Sequence, residues 1–192
     1  MIDLLIEGEK VTYNVDISLI KMNKNYYFEY KGEVVKKINH KGRTFFDKYE
    51  RVDKSLTFQV MNEHIERKKI IAHDLINRSR NIVENIVFDY NGIDPERFWN
   101  RLSLLLREKG FLNFTAYNSK TPGHLHLYIH KGHTTLNEAI QLGKTLSMKL
   151  SSKLPKQWRV FPNDELPSEF NILNLPFGVF KKERGASWAR HM

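Results

Sequence analysis

From residue 123 to residue 130 the chain alternates without a break. Leu125, Leu127 and Ile129 fall on one side of an extended strand, and His124, His126, Tyr128 and His130 on the other. A second apolar run, residues 86–90, reads as a buried strand with Asp89 near its end. After the Asn91-Gly92 turn, Asp94 is placed to cap a helix. Pro95 stands at its first position and Glu96 in its first turn. Phe98, Leu102, Leu105 and Leu106 keep helical spacing up to a stop at Gly110. Residues 112–117 alternate as a strand, and 118–123 form a polar loop leading into the histidine strand. Thr135-Leu136-Asn137-Glu138 is a capping box. It opens a helix with Ala139, Ile140, Gly143, Leu146 and Leu150 on one face, ending before Pro155. Residues 158–161 predict a fourth strand. The order β-α-β-β-α-β is that of a split βαβ sheet, as in ferredoxin-like and RRM-like domains. Its first and third strands are the adjacent central pair, which predicts Asp89 and His126 close together on one face.

Upstream, the pattern is a meander of short strands. Residues 11–17, 26–30, 33–35, 44–46 and 56–60 are strand-prone, with turn signals at Lys31-Gly32 and at 39–42. Tyr26, Tyr27, Phe28 and Tyr30 suit packing better than stacking on bases. Residues 62–80 predict a connecting helix, with Ile65, Ile70, Ile71, Leu75 and Ile76 as its apolar side. Beyond the core, residues 170–178 add a short strand and a turn. The expected organisation is an N-terminal antiparallel β-rich subdomain with its helix (1–80), the βαββαβ core (81–180) and a basic tail (181–192). That tail carries Lys181, Lys182, Arg184 and Arg190. The fold class is α+β: a split βαβ core with an added N-terminal antiparallel sheet.

Charge changes the picture modestly. The 192 residues carry a net charge of +9, and the sequence pI is about 9.6. Positive potential concentrates polyanions, which makes nucleotides or nucleic acids the partners to consider. No apolar run is long enough to cross a bilayer, and the N-terminus lacks the basic lead of a signal peptide, so no membrane association is expected. With no cysteine there is no disulfide or thiolate metal site, in keeping with a cytoplasmic location.

Three groups of residues can carry chemistry. His124 and His126 lie about 7 Å apart along one strand face. With a carboxylate such a pair can bind a transition metal, or one imidazole can donate to a phosphate, or the face can simply be solvated. Asp89 has no local structural role, because Asp94 is the better cap. A carboxylate there can hold Mg²⁺ or Mn²⁺, and Asn91, two residues on, can offer a carbonyl. The loop Ser119-Lys120-Thr121-Pro122-Gly123 can cradle phosphate through backbone N–H groups, a hydroxyl and a lysine, although it does not match a Walker A loop.

These segments carry a resemblance. Val87-Phe88-Asp89-Tyr90-Asn91 is similar to the first motif of the archaeo-eukaryotic primase superfamily, the Prim-pol fold. Ser119-Lys120-Thr121-Pro122-Gly123-His124-Leu125-His126 is similar to its second motif, and Val160-Phe161-Pro162-Asn163-Asp164 to its third. Asn174-Leu175-Pro176 resembles a segment that follows. The likeness extends over residues 82–178 and includes a small bacterial family of unknown function within that fold. It implies Asp89 and Asp164 as catalytic metal carboxylates and His126, or else His124, as the nucleotide-contacting histidine. Mg²⁺ or Mn²⁺ would be the ion. Two departures matter. The second aspartate of the first motif is Asn91, and Asp164 sits one place late. Losing a carboxylate weakens a two-metal site, so the expectation is nucleotide or nucleic-acid binding by a catalytically degenerate domain. Competing expectations are an active primase or polymerase, an RRM-type RNA binder stacking bases on Tyr90 and Tyr128, a metal-dependent hydrolase built on His124, His126 and Asp89, and a protein–protein adaptor.

Overall fold

The computed structural model describes residues 17–181 together with the backbone of two paired strands, β1 (Ile2–Ile6) and β2 (Glu9–Tyr13). Of the basic tail, Lys182, Arg184 and Arg190 lie outside the described residues. The strands β3 (Tyr27–Tyr30), β4 (Lys36–His40), β5 (Arg43–Asp47) and β6 (Tyr49–Val52) are followed by helix α1 (Phe58–Ile65) and strand β7 (Ile71–Asp74). Then come β8 (Ile82–Tyr90), α2 (Pro95–Glu108), β9 (Phe114–Asn118), β10 (Leu125–Thr135), α3 (Leu136–Ser151), β11 (Trp158–Phe161), β12 (Ile172–Asn174) and β13 (Gly178–Val179). The fold is α+β, with antiparallel sheets and three α-helices among the described residues. None of these helices is long and apolar enough to cross a membrane.

The larger sheet runs β11-β8-β10-β9-β13, with every pair antiparallel. Its first four strands have the split βαβ order, with β8 and β10 at the centre as the pattern predicts. Helices α2 and α3 cover one face. Ile86, Phe88, Leu125, Leu127 and Ile129 project there and pack with Phe98, Leu102, Leu106, Leu146 and Trp158. The caps follow the sequence signals. Asp94 accepts from the Arg97 N–H, and Thr135 and Glu138 form the reciprocal capping box. Gly110 takes φ +79°, a left-handed stop to which glycine is suited. Gly143 lets α3 settle onto the sheet, since a Cβ there would lie 2.7 Å from Val160 Cγ1.

A second sheet runs β12-β7-β3-β6, and its strands β7 and β12 meet the other face of the large sheet through His73 and Leu173. A second apolar cluster lies on that side, joining Val87, Tyr117, Tyr128 and Phe161 to Ile17, Ile20, Phe58, Leu75 and Leu173. Strand β12, from beyond the core, pairs with β7, from the first half of the chain.

Several upstream expectations are corrected. Residues 56–60, read as a strand, begin α1, because the Thr57 side chain accepts from the Val60 N–H and caps a helix there. The helix expected over 62–80 ends at Ile65. It gives way to β7, whose four residues are all buried, which accounts for the apolar run that had suggested a helix face. Residues 33–35 precede β4 instead of forming a strand, and β6 was not anticipated. The turn at 39–42 is correct, with Lys41 at φ 46° and Gly42 at φ 74° closing the β4–β5 hairpin.

Candidate functional site

Register places the key side chains in one row. Asp89 in β8 is flanked by His126 in β10 and by Arg159 in β11, and His126 is in turn opposite Tyr117 in β9. Directly opposite residues of antiparallel strands share a face, so this row lies on the side covered by the second sheet. The next row on that face contains Phe161, Val87, Tyr128 and Thr115.

The expected solvated histidine face is therefore corrected. His126 is 3% exposed and Tyr128 fully buried, because the second sheet closes over them. Burial holds the His126 imidazole neutral, its pKa pushed down to about 3, with the neighbouring His124 adding to the effect. His126 Nε2 lies 3.5 Å from Asp89 Oδ1, and its Nδ1 is buried without a hydrogen-bond partner. Since the ring is neutral, this is a long polar contact between a neutral donor and a carboxylate, not an ion pair. Burial pushes the Asp89 carboxyl up; the Asn91 amide, Arg159 and His124 act in the opposite sense.

Behind the row lies a polar seam with an assignable tautomer. His73 Nδ1 is 3.2 Å from the Asp74 backbone carbonyl, and Nε2 is 2.9 Å from Tyr128 Oη. A carbonyl can only accept, so Nδ1 carries the proton. Burial lowers the His73 pKa to about 4 and keeps the ring neutral. Nε2 therefore accepts from the Tyr128 hydroxyl, and the two rings stack at 5.9 Å. By the same argument His64 Nε2 donates to the Leu175 carbonyl at 2.8 Å, while Nδ1 accepts from the Ile71 N–H at 3.0 Å.

Asp89 and His126 border a cavity of about 570 Å³, within the range of small-molecule sites. Asn91, Ser119, Lys120, Thr121 and His124 also line it, so the structure brings together nearly every residue singled out in the sequence. The loop is a tight turn. The Ser119 N–H donates to the His124 carbonyl at 3.0 Å, the His124 N–H donates to the Thr121 carbonyl at 3.0 Å, and Gly123 takes φ +80°. Those two N–H groups are not free for phosphate, which shifts any anion binding by the loop toward the Ser119, Lys120 and Thr121 side chains. Lys120 is exposed, with Nζ 5.5 Å from the centroid of the Tyr30 ring.

Three site expectations meet the geometry. Asp164 does not line this cavity. It borders a separate one of about 520 Å³ between α3 and β11, where Lys144 Nζ sits 2.8 Å from its Oδ2 and holds its carboxyl below the usual range. Asn91 Nδ2 lies 3.2 Å from Asp89 Oδ2. Facing a carboxylate, that atom must be the amide nitrogen, so Asn91 is a donor to Asp89 through Nδ2, which leaves its side-chain carbonyl as the atom it can offer to an ion. Tyr90 and Tyr128 cannot stack on bases together. Tyr90 is buried on the helix side against Phe98, and Tyr128 on the opposite side.

Among the described residues, no three His, Asp or Glu side chains are grouped to hold a metal ion.

The sequence alone missed the rest of the wall. Arg159 borders both cavities. Its signal was present, since counting register from the fourth strand of a split βαβ sheet puts it beside Asp89. Tyr30, Phe45, Phe46, Asp47, Lys48 and Tyr49 come from the first half of the chain, and no local pattern pointed to them.

Residues 12–85 match the profile of a domain of unknown function (DUF1882). This is less than half of the chain. The match takes in the β4–β5 hairpin and the start of β8, and it ends before Asp89. No curated protein matches the chain in sequence. The cavity is thus built jointly by the segment resembling that domain and by the βαββαβ sheet.

Proposed function

We propose that this cavity binds a phosphate-bearing ligand, a nucleotide or nucleic acid, and that the chain is a Prim-pol-like protein with a degenerate catalytic centre. The observation that carries this reading is the row Arg159–Asp89–His126 on the wall of a cavity also lined by Ser119, Lys120 and Thr121. Lys120 and Arg159 are cations suited to phosphate, and Arg can engage it with two parallel N–H donors. Asp89 supplies one carboxylate to an ion that arrives with the ligand. A two-metal transfer centre needs more acidic groups than this, since Asn91 is neutral and Asp164 faces Lys144 in another cavity. The reading therefore favours binding over nucleotidyl transfer.

Calorimetric titration with a nucleoside triphosphate, with and without Mn²⁺, tests it. Saturable binding should strengthen with the ion and weaken at least tenfold in Lys120→Ala and Arg159→Ala. Both side chains are exposed, so these variants should fold. Absence of heat and saturation under either condition would refute the site. Incorporation of nucleotides on a primed template, abolished by Asp89→Ala, would overturn the degenerate part of the reading.

A further inference from the structure

The β4–β5 hairpin is a two-stranded ribbon paired to no other strand among the described residues. Such a ribbon is marginal alone. It is fastened by side chains to the segment after β11. Lys41 pairs with Glu165 at 3.0 Å, Lys36 with Glu169 at 3.5 Å, and the Phe45 ring packs on Phe170 at 5.4 Å. Exposed ion pairs of this kind contribute little. The hairpin nevertheless brings Phe46 to the cavity with 53% of its surface exposed. Nearby, Tyr30 and Tyr49 form an aromatic pair on the cavity wall, their ring centroids 5.3 Å apart. Lys120, the cation of the loop, lies over Tyr30, so the ionic and aromatic parts of the lining meet there.

A cavity with both parts suits a ligand with both. Resting on the phosphate reading above, we infer that the hairpin supplies the base-recognising half of the site: the ligand is a nucleoside phosphate whose base stacks on Phe46, not a bare polyphosphate or a sugar phosphate. Aromatic stacking tolerates any base, because each has a π-face. The four common ribonucleoside triphosphates should therefore bind with similar affinity, and all of them more tightly than inorganic tripolyphosphate.

The test titrates the full chain, in Mn²⁺, with the four ribonucleoside triphosphates and with tripolyphosphate, repeated on Phe46→Ala and Phe46→Trp. Phe46→Ala should lose roughly tenfold in triphosphate affinity and leave tripolyphosphate binding unchanged. Phe46→Trp should retain the wild-type preference. Equal affinity of the wild type for nucleotides and tripolyphosphate, or an unaltered preference in Phe46→Ala, overturns the hairpin's role while leaving the phosphate site standing. Binding of neither ligand overturns both. Phe46 is already exposed, so its replacement should not prevent folding, and an unchanged circular dichroism spectrum checks this.

Discussion

Acid should unfold this protein well above the pH at which its carboxylates titrate, because three buried imidazoles are held neutral. Burial lowers His64 and His73 to about 4 and His126 to about 3, from an ordinary value of 6.5. In the unfolded chain each takes up a proton near pH 6.5; in the folded chain each does so only near 4 or 3. Stability is therefore fully present above pH 6.5 and is lost as pH falls from 6.5 toward those folded values. By linkage, each imidazole destabilises the fold by about 2 kcal/mol at pH 5, or about 6 kcal/mol for the three. A domain of this kind is stable by roughly 5–15 kcal/mol, so the loss is comparable to the whole. The local slope approaches about 4 kcal/mol per pH unit, because nearly three more protons are bound when unfolded. His130, also lowered by burial, acts in the same direction. Asp89, raised by burial, opposes it by becoming easier to bury as it is protonated. Carboxyls held low by their donors, such as Glu138 and Asp164, add to the loss as they become protonated in acid. Urea unfolding followed by tryptophan fluorescence at pH 8, 7, 6 and 5 measures the effect. The paired replacement His73→Phe with Tyr128→Phe removes one titrating group together with its partner, and should reduce the slope by about a third. Unfolding free energies equal within about 1 kcal/mol between pH 8 and pH 5 would refute the reasoning, because a change of that size lies far below the linkage total.

Tyr128→Phe alone should destabilise by about 1–3 kcal/mol, since it leaves His73 Nε2 buried without a donor. A urea midpoint unchanged from wild type would show that the hydroxyl is dispensable. Gly143→Ala should also destabilise, by about 1–3 kcal/mol, although alanine is the better helix former. The new methyl must displace the stiff Val160 side chain, and a rise in thermal midpoint would show that α3 can lift off the sheet without penalty. Thr135→Ala should remove about 1 kcal/mol by dismantling the capping box at the start of α3, read by denaturant unfolding. No loss there would mean that the helix start is held by packing alone.

The sequence by itself determined the helix-bearing half of the molecule. Local rules were enough there: Asp94 and Pro95 start α2, Gly110 stops it, and Thr135 with Glu138 starts α3. The alternation of residues 124–130 orients Leu125, Leu127 and Ile129 to the helices. Because a split βαβ order has one usual arrangement, Asp89 and His126 could be paired before any coordinates. The first half was less legible. Alternation over 56–60 mimicked a strand until Thr57 capped it as a helix, and the fully buried β7 has no periodicity to separate it from a helix face. What covers the histidine side of the large sheet was decided only in three dimensions. That sheet's cover includes Ile17, Ile20, Phe58, His73 and Leu173, residues drawn from opposite ends of the described chain. A residue's own neighbours in sequence carry no record of such contacts. Hence His126 and Tyr128, on a face that reads as polar and wet, are buried, Asp164 is turned away toward Lys144, and Phe46 reaches a cavity whose ionic residues lie far along the chain.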